Sequence, residues 1–463
     1  MASRAAIWLL IPIALGTLRA QKSQPNPEQT LRTFRFAATD ARGQPVADLR
    51  PDEIRISDAG KRGSLVFSRF VSAPVAKDAA QRPYQFTNRG NGQPSASTLI
   101  LVDLFNADFT ERTTACQEII KTVGQMASPE NVYLFLLAPD KSLFAIHSWT
   151  TPWTGQVGDL LKQGLQNAGK LKHAESTDYN INANLTYQTL KALGAQYAAL
   201  PGQKRLVWVT RGSPLILIRF KGPSPPQTLL QQTGAEFRQF GIPIYEVHGK
   251  DRGTQDSNLS IASLTGGRSF ENGAAARAIA EAQTDADATY LAGYYPANAG
   301  ADGEFHELGV STTRKGVRIL APGGYTADPL KEIAQRALGV AVSSAFDTQD
   351  IGLHATIDTA GKTTHFQIYV DPGDLFLQHN GRTQTGKLLL SFVYFNAGGP
   401  ETATEPVSIN VNLTSDQFHA AVKSGYPIDV DQTVPAGTSK VRIVVQDVAM
   451  GITGSLSVPI ASQ

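Results

Sequence analysis

The stretch Ser97-Thr-Leu-Ile-Leu-Val-Asp103 decides the fold. Thr98 to Val102 are apolar or β-branched without alternation, and a strand that is apolar on both faces is typical of the centre of a parallel sheet. The run ends on a carboxylate, Asp103, and an amphipathic helical pattern follows it. Because ligands of open α/β sheets bind just beyond the carboxyl ends of such strands, Asp103 is the first candidate for a binding site.

Strand and helix patterns alternate on the C-terminal side of this stretch, over residues 97–287. Residues 131–137 and 142–147 are predicted to pair as a hairpin, because only a short turn at Pro139-Asp140 separates them. The remaining strands are separated by helices, which requires crossovers and a parallel sheet with helices on both faces. The sequence therefore predicts an α/β domain with a doubly wound, mostly parallel sheet.

All-β patterns flank this domain on both sides. Residues 31–72 read as an N-terminal β-unit, residues 73–96 as a linker rich in Pro, Gly, Gln and Asn, and residues 288–326 as a second β-unit. Three strands are too few to bury a core alone, so we expect the two β-units to form one sandwich with the α/β domain inserted between them. Residues 327–463 are predicted to form a helix followed by a C-terminal β-sandwich.

The N-terminus has the layout of a secretory signal peptide. Residues 1–20 combine a basic start, an apolar stretch that is too short to span a bilayer and a small residue at Ala20, and residues 21–30 read as a linker. An uncleaved membrane anchor is the alternative interpretation. Cleavage after Ala20 would bring the net charge from +2 to zero, which gives no indication of nucleic-acid binding. With one cysteine in the chain, the predicted location is a bacterial periplasm, cell surface or medium, with no transmembrane segment after cleavage.

The order of several short motifs resembles that of the von Willebrand factor A-related proteins of the acidobacterial type. The motifs run over residues 31–326 and are Phe34-Arg-Phe, Gly43-Gln-Pro-Val46, Asp52-Glu-Ile-Arg-Ile-Ser-Asp58, Leu99-Ile-Leu-Val-Asp-Leu-Phe-Asn106, Leu200-Pro-Gly-Gln-Lys-Arg-Leu-Val-Trp208, Thr265-Gly-Gly-Arg-Ser-Phe270, Tyr290-Leu-Ala-Gly-Tyr-Tyr-Pro296 and Gly323-Gly-Tyr325. The resemblance implies a von Willebrand factor A-like (VWA-like) domain that acts as a binding module.

The resemblance also implies where a divalent cation would sit. The family pattern is Asp-x-Ser-x-Ser after the first strand, a Thr from a second loop and an Asp after the fourth strand. Here Asp103 matches, whereas Phe105 and Ala107 stand at the two serine positions. Thr177 is the candidate for the threonine, and Arg211 stands where the last acid is expected. We therefore predict a degenerate site without a metal, at which Asp103 and Thr177 are the residual candidates for Mg²⁺.

A positively charged residue, Arg211, stands where the family pattern has a metal-ligating acid. We hypothesise that the Arg211 guanidinium replaces the ion and pairs with Asp103 or Asp178, since an edge carboxylate without a metal needs another counter-charge. The alternative is that Arg211 points into solvent and that Asp103 caps the following helix. Asn106 and His248 complete the predicted binding edge, His248 because it follows the strand that ends at Val247.

Motifs of the common enzyme classes are absent from the sequence: it contains no Gly-x-Ser-x-Gly, phosphate loop, Gly-x-Gly-x-x-Gly after a strand or His-Glu-x-x-His. We therefore expect an exported, non-enzymatic module that binds a protein partner through the loop edge of its sheet. A metal-dependent VWA adhesion protein is one alternative. An envelope enzyme built on His248 and Asp103 is the other, although no third group completes its site.

Overall fold

The computed structural model describes residues 31–71, 85–89, 96–106, 109–168, 170, 179–210, 217–218, 227–248, 260–271, 274–296, 302–344, 346–360, 363–396 and 398–460. This part of the chain has a mixed α/β architecture with several sheets, most of them antiparallel and one mixed. None of the helices described here is long and apolar enough to cross a membrane.

The N-terminal segment is made of short strands. They are β1 (Arg32–Thr39), β2 (Ile54–Asp58), β3 (Lys61–Arg62), β4 (Ser64–Phe70) and β5 (Phe86–Thr87). In β2 the buried positions alternate with exposed ones, as expected for a strand with one face toward a core. β5 lies within the segment 73–96 that the sequence indicated only as a linker.

The mixed sheet follows, and its strands alternate with helices. The elements are β6 (Ala96–Asp103), α1 (Phe109–Val123), β7 (Val132–Leu137), β8 (Leu143–His147), α2 (Val157–Ala168), α3 (Tyr179–Ala198), β9 (Gln203–Val209), β10 (Leu217–Ile218), β11 (Gln227–Thr228), α4 (Leu229–Gln239), β12 (Ile244–Val247), α5 (Ile261–Thr265), β13 (Ser269–Phe270) and α6 (Ala275–Asp287). The strand order is β13-β12-β9-β6-β7-β8, and β10 pairs separately with β11. All neighbours in the six-stranded sheet are parallel except β7 and β8, which confirms the predicted hairpin.

Apolar side chains cover both faces of this sheet. Ile100 and Val102 of β6 pack in a core with α1, α2 and α6, while Leu99 and Leu101 point to the opposite side and pack with α3, α4 and α5. All four side chains are fully buried. The uninterrupted apolar run therefore reflects a strand with helices on both sides, as the sequence predicts.

A second set of strands follows the mixed sheet. They are β14 (Thr289–Tyr295), β15 (Phe305–Thr312), β16 (Arg318–Leu320) and β17 (Gly324–Thr326), of which β17 was not predicted. They pair with the N-terminal strands in two antiparallel sheets, ordered β16-β1-β14-β4 and β17-β15-β2-β3. Side chains of both sheets, including Phe34, Ile56, Tyr290 and Leu308, share one core.

The C-terminal part begins with a helix and continues as two packed sheets. Its elements are α7 (Leu330–Ser343), β18 (Leu353–Ala360), β19 (Thr363–Val370), β20 (Gln378–Asn380), β21 (Thr383–Asn396), β22 (Gly399–Ala403), β23 (Val407–Thr414), α8 (Ser415–Ser424), β24 (Tyr426–Thr433), β25 (Lys440–Asp447) and β26 (Thr453–Pro459). One sheet is ordered β24-β19-β18-β5, so the strand inside the predicted linker belongs to this part of the fold. The other is built on β21, and a common core joins the two.

Several element boundaries differ from the predictions. α3 begins at Tyr179, whereas the sequence predicted a start at Leu185. The predicted start was too late because the Asn-rich first part of the helix has no clear apolar period. α8 was missed, although Thr414 and Gln417 form a capping box that marks its first turn. β20, β22 and β24 were missed as well. β20 consists of three exposed polar residues without any period, whereas Tyr426, Ile428 and Val430 of β24 do alternate with more exposed residues, a period-two signal that the prediction overlooked.

Candidate binding edge of the mixed sheet

The carboxyl ends of the parallel strands meet at one edge of the mixed sheet. Asp103 at the end of β6 lies opposite Leu137 of β7, which in turn lies opposite Leu143 of β8. On the other side, Thr210 follows β9 and His248 follows β12. The fold thus brings residues that are 145 positions apart in the sequence, Asp103 and His248, to the same edge.

The Asp103 carboxylate is fully buried and accepts four hydrogen bonds from neutral donors. Its Oδ1 accepts from the main-chain N–H groups of Phe105, at 3.1 Å, and of Asn106, at 2.9 Å. Its Oδ2 accepts from the Asn106 side-chain amide at 2.7 Å and from the Thr210 hydroxyl at 3.1 Å. The two main-chain bonds form an Asp turn before α1, which begins only at Phe109, so Asp103 is not the cap residue of that helix.

Burial raises the pKa of the Asp103 carboxyl, while the hydrogen bonds from Asn106, Thr210 and Phe105 act in the opposite direction. The net direction is upward because desolvation of the charge outweighs the dipoles that face it. The four hydrogen bonds therefore offset part of the cost of burying this charge.

Asn106 connects Asp103 to the neighbouring helix. Its amide nitrogen also donates to Thr186 Oγ1 at 2.8 Å, and that hydroxyl donates to the Asn182 carbonyl oxygen at 3.0 Å. The sequence pointed to Asp103 and Asn106 but missed Thr186 and Thr210. Thr210 directly precedes Arg211, which the resemblance placed at this edge, whereas Thr186 lies in a helix interior with no local motif.

The other predicted edge residues have different environments. Phe105 is 7% exposed and packs into the core on the α3 side of the sheet, with the Lys141 amino group 5.8 Å from its ring centre. His248 is also buried, and its main-chain N–H donates to the Phe270 carbonyl at 2.9 Å. Both predicted binding residues therefore lie at this edge with buried side chains. Thr177, Asp178 and Arg211 lie outside the described residues, as does the hypothesised pairing of the arginine with Asp103.

The described residues of this edge do not fit a divalent cation. The amide nitrogen of Asn106 faces the Asp103 oxygen that a metal would need. The Thr186 hydroxyl supports this orientation of the amide, because it donates its hydrogen to the Asn182 carbonyl oxygen and therefore accepts from a nitrogen on the Asn106 side. The Phe105 side chain supplies no oxygen and points into the core. Across the described ranges, no group of three or more His, Cys, Asp or Glu side chains is arranged to hold a metal ion.

Two exposed apolar side chains lie at the same edge of the sheet as this polar cluster. Leu143 and Phe144, at the start of β8, are each 40% exposed, and β8 is the last strand of the mixed sheet among the described residues. Leu143 is two strands away from Asp103, which corresponds to roughly 10 Å at the usual strand spacing. Among the described residues, β8 therefore has no partner strand on its outer side and carries two exposed apolar side chains.

Comparison with known proteins gives weak similarities. No protein-family model and no curated protein matches the chain. Two crystal forms of proximal thread matrix protein 1 from the mussel byssus match with 9% and 10% identity and TM-scores of 0.27 and 0.25, over 42% of this chain and 48% and 49% of that protein. A variant of the PilB minor pilin from Streptococcus sanguinis matches with 10% identity and a TM-score of 0.27, over 57% of this chain and 80% of the pilin. The chain thus spans about half the length of the mussel protein, and similarities this weak support no inference about fold or function.

Proposed function

We propose that this protein is an exported, non-enzymatic interaction module, of the adhesion or scaffold kind, whose VWA-like domain binds a protein partner without a metal ion. The strand order β13-β12-β9-β6-β7-β8, with a single antiparallel strand at one end, supports the VWA-like interpretation. If the six strands are numbered by their order in the chain, their order across the sheet is 6-5-4-1-2-3. This order matches a doubly wound arrangement whose switch point lies beside the first strand, β6.

The exposed apolar pair at the start of β8 carries the proposal. Large apolar side chains that stay exposed on an edge strand mark a candidate contact site, because such a strand also offers unpaired main-chain groups to another chain. Leu143 and Phe144 combine both features at the edge where VWA-like domains are expected to bind. The closed hydrogen-bonded cluster at Asp103, which leaves its oxygens without a free coordination position, favours contact through β8 over contact through a cation.

The test is affinity capture of envelope proteins with the full chain and with the double variant Leu143→Ser/Phe144→Ser. We expect a specific protein that the wild type retains and the double variant loses, because the variant removes the apolar contact and leaves Asp103 untouched. Val407→Ser is the matched control, since Val407 is 60% exposed on β23, far from β8 in the chain and in a different sheet. Equal capture by the wild type and the double variant would contradict the proposal, provided that circular dichroism shows both to be folded.

Export has its own test. Expression in a Gram-negative host, followed by mass spectrometry of the intact product, should show a chain that begins at Gln21 in the periplasmic fraction. A product that keeps residues 1–20 and remains with the inner membrane would instead support the anchor interpretation.

A further inference from the structure

A cavity of about 100 Å³ lies where the parts of the fold meet. Its walls come from β1 and β14 of the first pair of sheets, from α4 of the mixed-sheet region, from α7 and from the C-terminal part around Met450. A volume of this size holds several water molecules or one small organic molecule.

The cavity carries an excess of positive charge. Four arginines and two aspartates line it, and two of the arginines are paired: Arg336 with Asp328 at 2.6 Å and Arg35 with Asp350 at 2.7 Å. The other two arginines are Arg32 and Arg238, and neither has a carboxylate within 4 Å in the part of the chain that the structure describes. Two positive charges in the lining are therefore unbalanced.

Arg32 and Arg238 line the same cavity, and each contacts neutral groups there. Arg32 Nη1 donates to the Asp328 carbonyl oxygen at 2.8 Å, and Arg238 donates to the Gly324 carbonyl oxygen. Both guanidinium carbons lie near the ring of Tyr325, at 5.6 Å and 5.5 Å from its centre. Burial lowers the pKa of Arg238 to about 10, and the positive charge of Arg32 acts in the same direction.

Arg32 also lacks a complete set of acceptors. Arg32 is 7% exposed, and its buried Nε has no hydrogen-bond acceptor among the described residues. A buried guanidinium N–H without an acceptor is costly, as is a second guanidinium without a counter-charge in the lining of the same cavity. Both costs fall if an anion occupies the cavity and the Arg32 side chain adjusts to it.

A buried carboxylate outside the cavity lining, Asp58, is bound to the same tyrosine that the two arginines contact. Asp58 accepts hydrogen bonds from the hydroxyls of Tyr294, at 2.9 Å, and of Tyr325, at 2.8 Å, and it lies 3.4 Å from His306 Nδ1. Asp58 is not among the residues that line the cavity, whereas Tyr294 and Tyr325 are.

We infer that this cavity binds a small organic carboxylate, with Arg32 and Arg238 as the residues that hold its oxygens. The planar guanidinium matches a carboxylate through two parallel hydrogen bonds. The remaining walls are largely apolar and include Leu291, Ile333 and Ile452, which suit a short hydrocarbon tail better than the four polar oxygens of phosphate. The site is independent of the proposed contact surface at β8.

The test is a calorimetric titration of the full chain with acetate, butyrate and benzoate, in a carboxylate-free buffer at constant ionic strength. Sodium phosphate and sodium chloride serve as the reference anions. We expect saturable one-site binding of butyrate, weaker binding of acetate and phosphate, and a butyrate-dependent rise in Tm. If none of the three carboxylates binds saturably, or if phosphate binds more tightly than all of them, the inference is wrong, and this result needs no variant.

Two variants locate the site. Arg32→Met and Arg238→Met should each weaken butyrate binding about 10- to 100-fold, the loss typical of a charged hydrogen bond. Arg318→Met, which removes an exposed arginine from β16, is the matched control and should bind as the wild type does. Arg32→Lys keeps the charge but loses the planar fork, and its affinity should lie between those of the wild type and Arg32→Met. Undiminished binding by a folded Arg32→Met or Arg238→Met protein would overturn the assignment.

Discussion

The side-chain amide of Asn106 faces the carboxylate of Asp103, with 2.7 Å between Nδ2 and Oδ2. In the family pattern the positions on either side of Asn106 hold serines, whereas this chain has Phe105 and Ala107 there. The amide contacts the oxygen that a cation would need and extends the contact to Thr186. The Asp103 carboxylate is thus held by an amide, a hydroxyl and two main-chain N–H groups among the described residues.

The first prediction concerns this amide. Asn106→Ala removes the donor to Asp103 Oδ2 and to Thr186 Oγ1, so a buried carboxylate loses one of its four hydrogen bonds. We expect the free energy of unfolding in urea to fall by about 1–3 kcal/mol. Asn410→Ala, which removes an exposed amide from β23, is the control and should change the free energy by less than about 0.5 kcal/mol. Equal effects of the two substitutions would show that the Asn106 contacts are not stabilising.

The second prediction concerns metal binding. We expect calorimetric titration with Mg²⁺ or Mn²⁺ to give no saturable heat with the full chain, because neutral donors already occupy the Asp103 oxygens. The variant Arg211→Asp introduces an acid at the position where the von Willebrand factor A pattern has one. Binding gained by this variant and not by the control Arg62→Asp would show that the arginine replaces the ion. Tight binding by the wild type would contradict the proposed metal-free contact.

The sequence predicted those parts of the fold whose signals are local. The apolar run before Asp103 indicates a buried strand, and the short turn at Pro139-Asp140 indicates the β7–β8 hairpin, which the structure confirms. β5 could not be found in this way, since two residues carry no period and gain their place by pairing with His354 and Ala355.

The residues of the candidate site also fall into two groups, those with a local sequence signal and those placed by tertiary packing. Asp103 and Asn106 are visible as a carboxylate and an amide that follow a central strand. Thr186 is not, because its contact with Asn106 depends on the packing of a helix 80 residues further along the chain. The burial of Phe105 is likewise set by tertiary packing, since a phenylalanine after a strand can face either solvent or the core.

The third prediction concerns pH. Hydrogen bonds from Arg314 and from the main chain of Arg50 lower the pKa of Glu53 to about 2. Because the pKa in the folded state lies below the unfolded value of about 4.3, the carboxylate contributes stability that is fully present above that value and is lost as the pH falls toward 2. The difference in unfolding free energy between the wild type and Glu53→Gln should therefore shrink between about pH 6 and pH 2.5. A difference that stays constant over this range would contradict the role of the Arg314 contact.

The last prediction concerns the Thr265-Gly-Gly-Arg-Ser-Phe270 motif. A Cβ atom on Gly267 would lie 1.9 Å from the Ile244 carbonyl oxygen, a main-chain atom that cannot move without disturbing β12. The glycine thus permits two backbones to approach closely between α5 and β13, so Gly267→Ala should lower the free energy of unfolding by about 3 kcal/mol or more. Gly339→Ala is the matched control, because a Cβ at this position in α7 meets no atom within 4 Å. There the added methyl group should stabilise the helix by about 0.5–1 kcal/mol. Urea denaturation of both variants measures the difference between their free energies of unfolding. A Gly267→Ala protein as stable as the wild type would show that the β12 backbone shifts to accommodate the added methyl group.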